Sequence, residues 1–121
     1  MPSLAFLNGT YLPIDQALVP VDDRGYQFAD SVYEVISGLD GRLFCLDAHF
    51  DRLERSMSEL DFPAVSRDEL REILFELVSR SGLKDVKVYM QISRGVAPRL
   101  HEFDNSKLTP QILMTVREVH P

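Results

Sequence analysis

Arg99 and His101 stand two residues apart in the stretch Arg94-Gly95-Val96-Ala97-Pro98-Arg99-Leu100-His101-Glu102-Phe103. An arginine fork matches a carboxylate with two parallel hydrogen bonds. A neighbouring histidine adds a second donor or a switchable charge. The pair reads as a trap for a small anion, or as two solvated side chains on a surface loop. Arg52 offers similar chemistry. It lies in His49-Phe50-Asp51-Arg52-Leu53, at the edge of an apolar helical stripe. A guanidinium there suits either a phosphate at the mouth of a sheet or a plain surface ion pair. His49, three residues earlier, reads as a packed structural histidine. Tyr33 is the third candidate: a phenol on one face of a strand, able to hydrogen-bond a ligand or simply to sit half-buried.

Loop, helix and strand must hold these groups in place. Residues 4–7 and 10–12 flank Asn8-Gly9, a hairpin signal. Residues 13–23 carry two prolines and read as a connector with at most a brief strand. Residues 31–38 alternate, with Val32, Glu34 and Ile36 on one face and Tyr33, Val35 and Ser37 on the other. Asp40-Gly41 turns the chain into a second arm, Arg42-Leu43-Phe44-Cys45. Asp47 is the expected N-cap of a helix reaching about Leu60, with Phe50, Leu53, Met57 and Leu60 as its buried stripe. Asp51 and Arg55 are spaced for an ion pair on its surface. Ser66 with Glu69 opens a second helix as a capping box; Leu70, Ile73, Leu74, Leu77 and Val78 form its apolar face, and Gly82 ends it. Residues 85–93 alternate again, and 112–119 form the last strand. Strands, then two helices, then strands predict an α+β fold: a two-layer sandwich with both helices on one face of a mostly antiparallel sheet.

Composition narrows the functional classes. The chain has 121 residues, 45% of them hydrophobic, which suits one globular domain. A net charge of −6 with dispersed acidic residues argues against nucleic acid as a partner. No apolar run is long enough to span a membrane, and Met1-Pro2-Ser3-Leu4 lacks the layout of a secretion signal. Cys45, the single cysteine, lies among apolar neighbours and is expected to be a buried thiol; a lone cysteine points to a reducing, cytoplasmic setting. The three histidines (49, 101 and 120) lack metal-ligand spacing, and no glycine-rich phosphate loop or nucleophile elbow occurs. The sequence ends at Val119-His120-Pro121, directly after a strand, with no closing helix expected.

In combination these blocks resemble the N-terminal half of fold-type IV, pyridoxal-phosphate-dependent aminotransferases. The resemblance runs over essentially the whole chain. It comprises the strand pair around Asn8-Gly9, then Asp23-Arg24-Gly25-Tyr26-Gln27-Phe28-Ala29-Asp30 leading into Val32-Tyr33-Glu34-Val35, then His49-Phe50-Asp51-Arg52-Leu53, and last Arg94-Gly95 followed by Pro98-Arg99-Leu100-His101. The first three blocks are shared, more loosely, with branched-chain aminotransferases and aminodeoxychorismate lyases. The final Arg-x-His is similar to the D-amino acid aminotransferase branch.

The resemblance implies roles. Arg52 would bind the phosphate of pyridoxal 5'-phosphate. Tyr33, Arg99 and His101 would hold the substrate α-carboxylate, with Val35 beside the substrate. The loop carrying Arg99 and His101 would reach across a homodimer into the neighbouring subunit's site. The reaction implied exchanges an amino group between a D-amino acid such as D-alanine and a 2-oxo acid. One element of the family is missing: Lys84, Lys87 and Lys107 are the only lysines, and none matches the family's Schiff-base lysine, which lies in the second half together with the acidic partner of the pyridine nitrogen. The chain is therefore expected to be the N-terminal domain (1–121) of a longer enzyme and inactive by itself. The alternatives are a lyase or branched-chain aminotransferase piece, or a stand-alone binding or assembly domain without catalysis.

Overall fold

A computed structural model describes residues 3–119. Met1, Pro2, His120 and Pro121 lie outside the described residues, and so do the readings placed on the two chain ends and on His120.

Among the described residues six strands form one sheet: β1 (Leu4–Leu7), β2 (Thr10–Pro13), β3 (Ser31–Leu39), β4 (Arg42–Leu43), β5 (Val86–Ser93) and β6 (Gln111–Glu118). Their spatial order is β2-β1-β6-β5-β3-β4, and every neighbouring pair is antiparallel. Three helices accompany them: α1 (Arg24–Phe28), α2 (Leu46–Glu59) and α3 (Arg67–Ser81). The α+β sandwich expected from the sequence is the observed architecture. Strand alternation builds it. Val32 and Ile36 from β3, Val86, Val88, Met90 and Ile92 from β5, and Met114 and Val116 from β6 all point to one face. Phe50, Leu53 and Met57 of α2, with Leu70, Ile73, Leu74 and Leu77 of α3, cover that face. The opposite face carries Ala5, Leu7, Tyr33, Val35, Tyr89, Gln91, Leu113 and Thr115, and neither α2 nor α3 lies over it.

Asn8 and Gly9 both adopt positive φ, +46° and +100°, as a two-residue hairpin turn requires. Ser66 accepts a hydrogen bond from the Glu69 amide and opens α3; Gly82, at φ +68°, closes it.

Four local expectations are corrected. Cys45 is exposed, because β4 ends at Leu43 and the chain leaves the sheet before it. Cys45, with φ +53°, is also the N-cap of α2, and Asp47 falls in the first turn, where its charge favours the helix dipole. Leu60 caps the end of α2 and is exposed rather than part of the buried stripe. Asp51 pairs with Arg67 of α3 at 2.5 Å instead of Arg55, since Arg67 also reaches Glu54 and ties the two helices together. The connector at 13–23 contains a single 3-10 turn, Ile14–Gln16, and its end pairs with the far loop through the bridge Asp23–Val96.

Candidate functional site

The alternation of β3 turns Glu34 inward, toward α2, and turns Tyr33 and Val35 outward. Glu34 is a carboxylate with 3% exposure, so it needs partners. The packing of α2 against β3 supplies them from successive turns of the helix. His49 Nδ1 lies 2.7 Å from Glu34 Oε1. Arg52 donates from Nε to Oε2 at 2.8 Å and from Nη2 to Oε1 at 2.6 Å, a two-point fork. An ionised carboxylate only accepts, so His49 Nδ1 is the protonated nitrogen. Burial pushes the Glu34 carboxyl upward, but the hydrogen bonds and charge of Arg52 and His49 outweigh it and hold it below the usual carboxylate value.

The Arg52 side chain is nevertheless 60% exposed. Glu34 fixes the plane of its guanidinium from behind through Nε and Nη2, and Nη1 takes no part in that fork. Bonding and charge from Glu34 raise the Arg52 pKa, and Tyr33 contributes in the same direction, so the phenol and the guanidinium share one locality at the open edge of β3. Tyr33 itself is 61% exposed and stacks on Tyr89 at 5.6 Å. Tyr89 donates to Gln91 Oε1, and Gln91 donates to Ser31, forming a short polar ladder beneath Tyr33. Burial, and then Tyr33, push the Tyr89 phenol up, so it stays a neutral donor.

The second cluster begins where β5 ends. Residues 94–110 leave the sheet beside the start of β3, the same end at which Tyr33 sits opposite Gln91. Gly95 takes φ +148°, and a Cβ there would meet the Thr109 carbonyl oxygen at 3.0 Å, so the exit of the loop is shaped around glycine. Arg99 and His101 lie on this loop, and neither forms an ion pair or side-chain hydrogen bond among the described residues. Both lean on Phe28 of α1: the Arg99 guanidinium lies 5.0 Å from the ring centre, and the His101 ring lies 5.3 Å away. Among the described residues no hydrogen bond, ion pair or ring contact joins Arg99 or His101 to Tyr33 or Arg52. The fold puts Tyr33 and Val35 on the outward face of β3, leaves Arg52 within electrostatic reach of Tyr33, and sets Arg99 and His101 apart on the loop.

Three residues that sequence reasoning did not single out hold that loop: Arg24, Asp30 and Arg94. Arg24 and Arg94 are buried, and both donate from Nε to Asp30 Oδ2, at 2.7 and 2.8 Å. Glu34 was missed as a binding group in the same way, being read only as one position of a strand face. The available signal was charged residues in otherwise apolar strand surroundings, Glu34 between Val32 and Ile36, and Arg94 at the end of a buried strand.

Comparison with known proteins identifies relatives of the chain. Residues 31–121 match the family model described as amino-transferase class IV. The chain is similar to the D-alanine aminotransferase of Staphylococcus haemolyticus, 38% identical over 109 residues, which is 89% of this chain and 39% of that one. It is 42% identical over 106 residues to the D-alanine aminotransferase of Bacillus licheniformis, covering 87% of this chain and 37% of the relative. The chain thus spans about two fifths of the length of the curated relatives it matches. Among solved structures, the branched-chain aminotransferase of the thermophilic archaeon Thermoproteus uzoniensis, crystallised with norvaline, has a similar fold. The TM-score is 0.82, with 20% identity over 97% of this chain and 41% of that one. Among the described residues, no helix is long and apolar enough to cross a membrane.

Proposed function

This chain belongs to the class IV aminotransferases, and from that membership we propose that it is the N-terminal, ligand-holding domain of a pyridoxal-phosphate-dependent D-amino acid aminotransferase. The observation that carries the reading is the arginine held from behind. Buried Glu34 takes one side of the Arg52 fork and leaves Nη1 for another partner beside Tyr33. That donor set fits a phosphate: it is cationic, rigidly oriented and accessible. The D-alanine aminotransferase relatives support the choice of substrate class. Likeness to a branched-chain enzyme at 20% identity speaks for the fold alone.

In this reading Arg52 anchors the cofactor phosphate. Tyr33, Arg99 and His101 bind the α-carboxylate of a D-amino acid or 2-oxo acid, and Val35 packs beside the substrate. Bound pyridoxal phosphate supplies the electron sink for moving the amino group. The chain's own contribution is binding and orientation. Arg99 and His101 are exposed and make no side-chain hydrogen bond among the described residues, so they are available to serve a neighbouring subunit in a homodimer. A cytoplasmic setting accords with the single, unpaired and exposed thiol of Cys45.

The domain does not perform the reaction by itself. Lys87 is the only lysine on the outward face of the sheet, but its register partner is Ser37, four residues along β3 from Tyr33. At about 3.3 Å per residue that is roughly 13 Å away. Lys84 lies in the turn before β5, and Lys107 lies in the short 3-10 turn Asn105–Lys107. A lysine from beyond this chain is required. The test is transamination by the full-length protein with D-alanine or L-leucine as donor. Activity on D-alanine is expected; activity on L-leucine alone would replace this reading with a branched-chain enzyme.

A further inference from the structure

We infer that Arg24 is the positioning residue of the carboxylate-binding loop, acting through the backbone carbonyls on either side of the His101 α-carbon. The inference rests on the trap reading of Arg99 and His101 given above. Arg24 sits at the start of α1, seventy-six positions before Leu100, and its side chain is 6% exposed. Its Nε holds Asp30 Oδ2 at 2.7 Å. Its Nη1 donates to the Leu100 carbonyl oxygen at 2.7 Å, and its Nη2 reaches the His101 carbonyl oxygen at 3.4 Å. One guanidinium therefore grips the main chain between the two trap side chains and just after them.

The rest of the surroundings makes that grip rigid. Asp30 also receives Arg94 Nε at 2.8 Å, and Arg94 donates onward to the Leu60 and Asp61 carbonyl oxygens and to Asn105 Oδ1. Phe103 lies against both guanidiniums, 5.3 Å from Arg24 and 3.8 Å from Arg94, and so closes the loop over the pair. The backbone of the same region is zipped by Arg24 N to Gly95 O at 2.8 Å and Ala97 N to Asp22 O at 3.1 Å. The side chains of Arg99 and His101 project from a main chain fixed at both sides. A fork is required for this. A lysine could satisfy Asp30 or the Leu100 carbonyl, but a single ammonium on a flexible stem cannot present both donors in one plane.

Arg24→Lys tests the assignment, with Arg99→Met as the reference and the full-length protein as the material. Arg24→Lys keeps the charge beside Asp30, and circular dichroism checks that the variant is folded before exchange is read. Loss of the charge-assisted bond is expected to speed backbone hydrogen exchange at residues 97–103 about tenfold and to raise KM for D-alanine by about tenfold, with kcat little changed. Wild-type exchange in that segment together with a wild-type KM would overturn the inference. Arg99→Met separates the two layers. If it leaves KM unaltered, the trap reading fails; if it raises KM while Arg24→Lys does not, the trap stands and the positioning role fails. Phe103→Leu, at a position 46% exposed, keeps Arg24 and removes the aromatic cover. It should loosen the same segment in the same direction even if Arg24→Lys folds poorly, and an unaltered segment there counts against the inference.

Discussion

Glu34 faces two opposing demands, and the balance between them can be measured. Burial favours its neutral form, whereas three hydrogen bonds from His49 and Arg52 favour the carboxylate, and the bonds prevail. A carboxyl held below its ordinary value in the folded state takes up its proton later than it does in the unfolded chain. Its stabilisation is therefore complete above the ordinary glutamate value of about 4.3 and is lost as pH falls through the depressed folded value. Glu34→Gln keeps the shape but gives up the charge-assisted bonds, at a cost of about 1–3 kcal/mol at neutral pH. The cost stays at the lower end because Arg52 is exposed enough for water to take over part of its solvation. Urea midpoints of wild type and Glu34→Gln, compared from pH 7 down to pH 3, should converge toward the acid end. A gap that stays constant over that range would mean that the carboxylate is not ionised by virtue of its partners. At neutral pH the same substitution leaves the Arg52 guanidinium one neutral acceptor in place of the two-point carboxylate fork, so on the proposed role of Arg52 cofactor retention in the full-length protein should weaken alongside stability.

Elements written in local sequence were legible, and elements written in distant contacts were not. The Asn8-Gly9 turn, the Ser66 cap and the Gly82 stop each depend on a few adjacent residues, and each appears where the sequence put it. The alternation of 31–38 and 85–93 fixed which side chains face the helices, and so set Tyr33 and Val35 outward. Helix α1 escaped notice because five residues carry too little periodicity to be recognised, and its existence depends on Asp23 capping Gly25 at 2.8 Å and on Arg24 reaching a loop far along the chain. The burial of Arg24 and Arg94 escaped for the same reason: Asp30, Leu60, Asp61 and Leu100 are neighbours only after folding. Cys45 misled because apolar neighbours in sequence are not neighbours in space once β4 stops at Leu43. The first hairpin shows how much a local signal can carry. Asn8 combines φ +46° with a side chain that accepts from Ile112 N at 2.8 Å and donates to Gln111 at 2.7 Å, so it joins β1 and β2 to β6. Asn8→Ala should cost about 1–2 kcal/mol through left-handed strain and the lost bonds. Asn8→Gly removes only the bonds and should cost less in the same chemical denaturation experiment. Equal losses for the two would show that the turn conformation contributes nothing.

The two long helices cover one side of the sheet; on the other side α1 packs against the Ser31–Ser93 end, and the rest of that face has no helix over it among the described residues. Antiparallel sheets tolerate a wet face when that face is polar, but here polarity varies along the strands. Ser37, Lys87 and Arg117 form one polar row across β3, β5 and β6. Two side-chain steps away the row is Tyr33, Gln91, Leu113 and Leu7, with Val35, Tyr89, Thr115 and Ala5 between. The apolar and aromatic end is the one where the loop carrying Arg99 and His101 emerges. Leu18, Val21 and Tyr26, all more than 70% exposed, add to the apolar surface of the chain. A lone domain rarely leaves such a patch open to water, and the relatives are more than twice as long as this chain. The physical expectation is that further protein covers this face, and that the 121-residue chain by itself covers it with a second copy. Sedimentation equilibrium should then give an average mass that rises with concentration. Leu113→Lys, placed in the middle of the patch on the outward face, should shift the equilibrium toward monomer without disturbing the core, because its side chain points away from α2 and α3. A strictly monomeric wild-type chain at high concentration would mean that the face is stable in water as it stands. A Leu113→Lys chain that associates as strongly as wild type would move the contact to the exposed Leu18–Val21 segment instead.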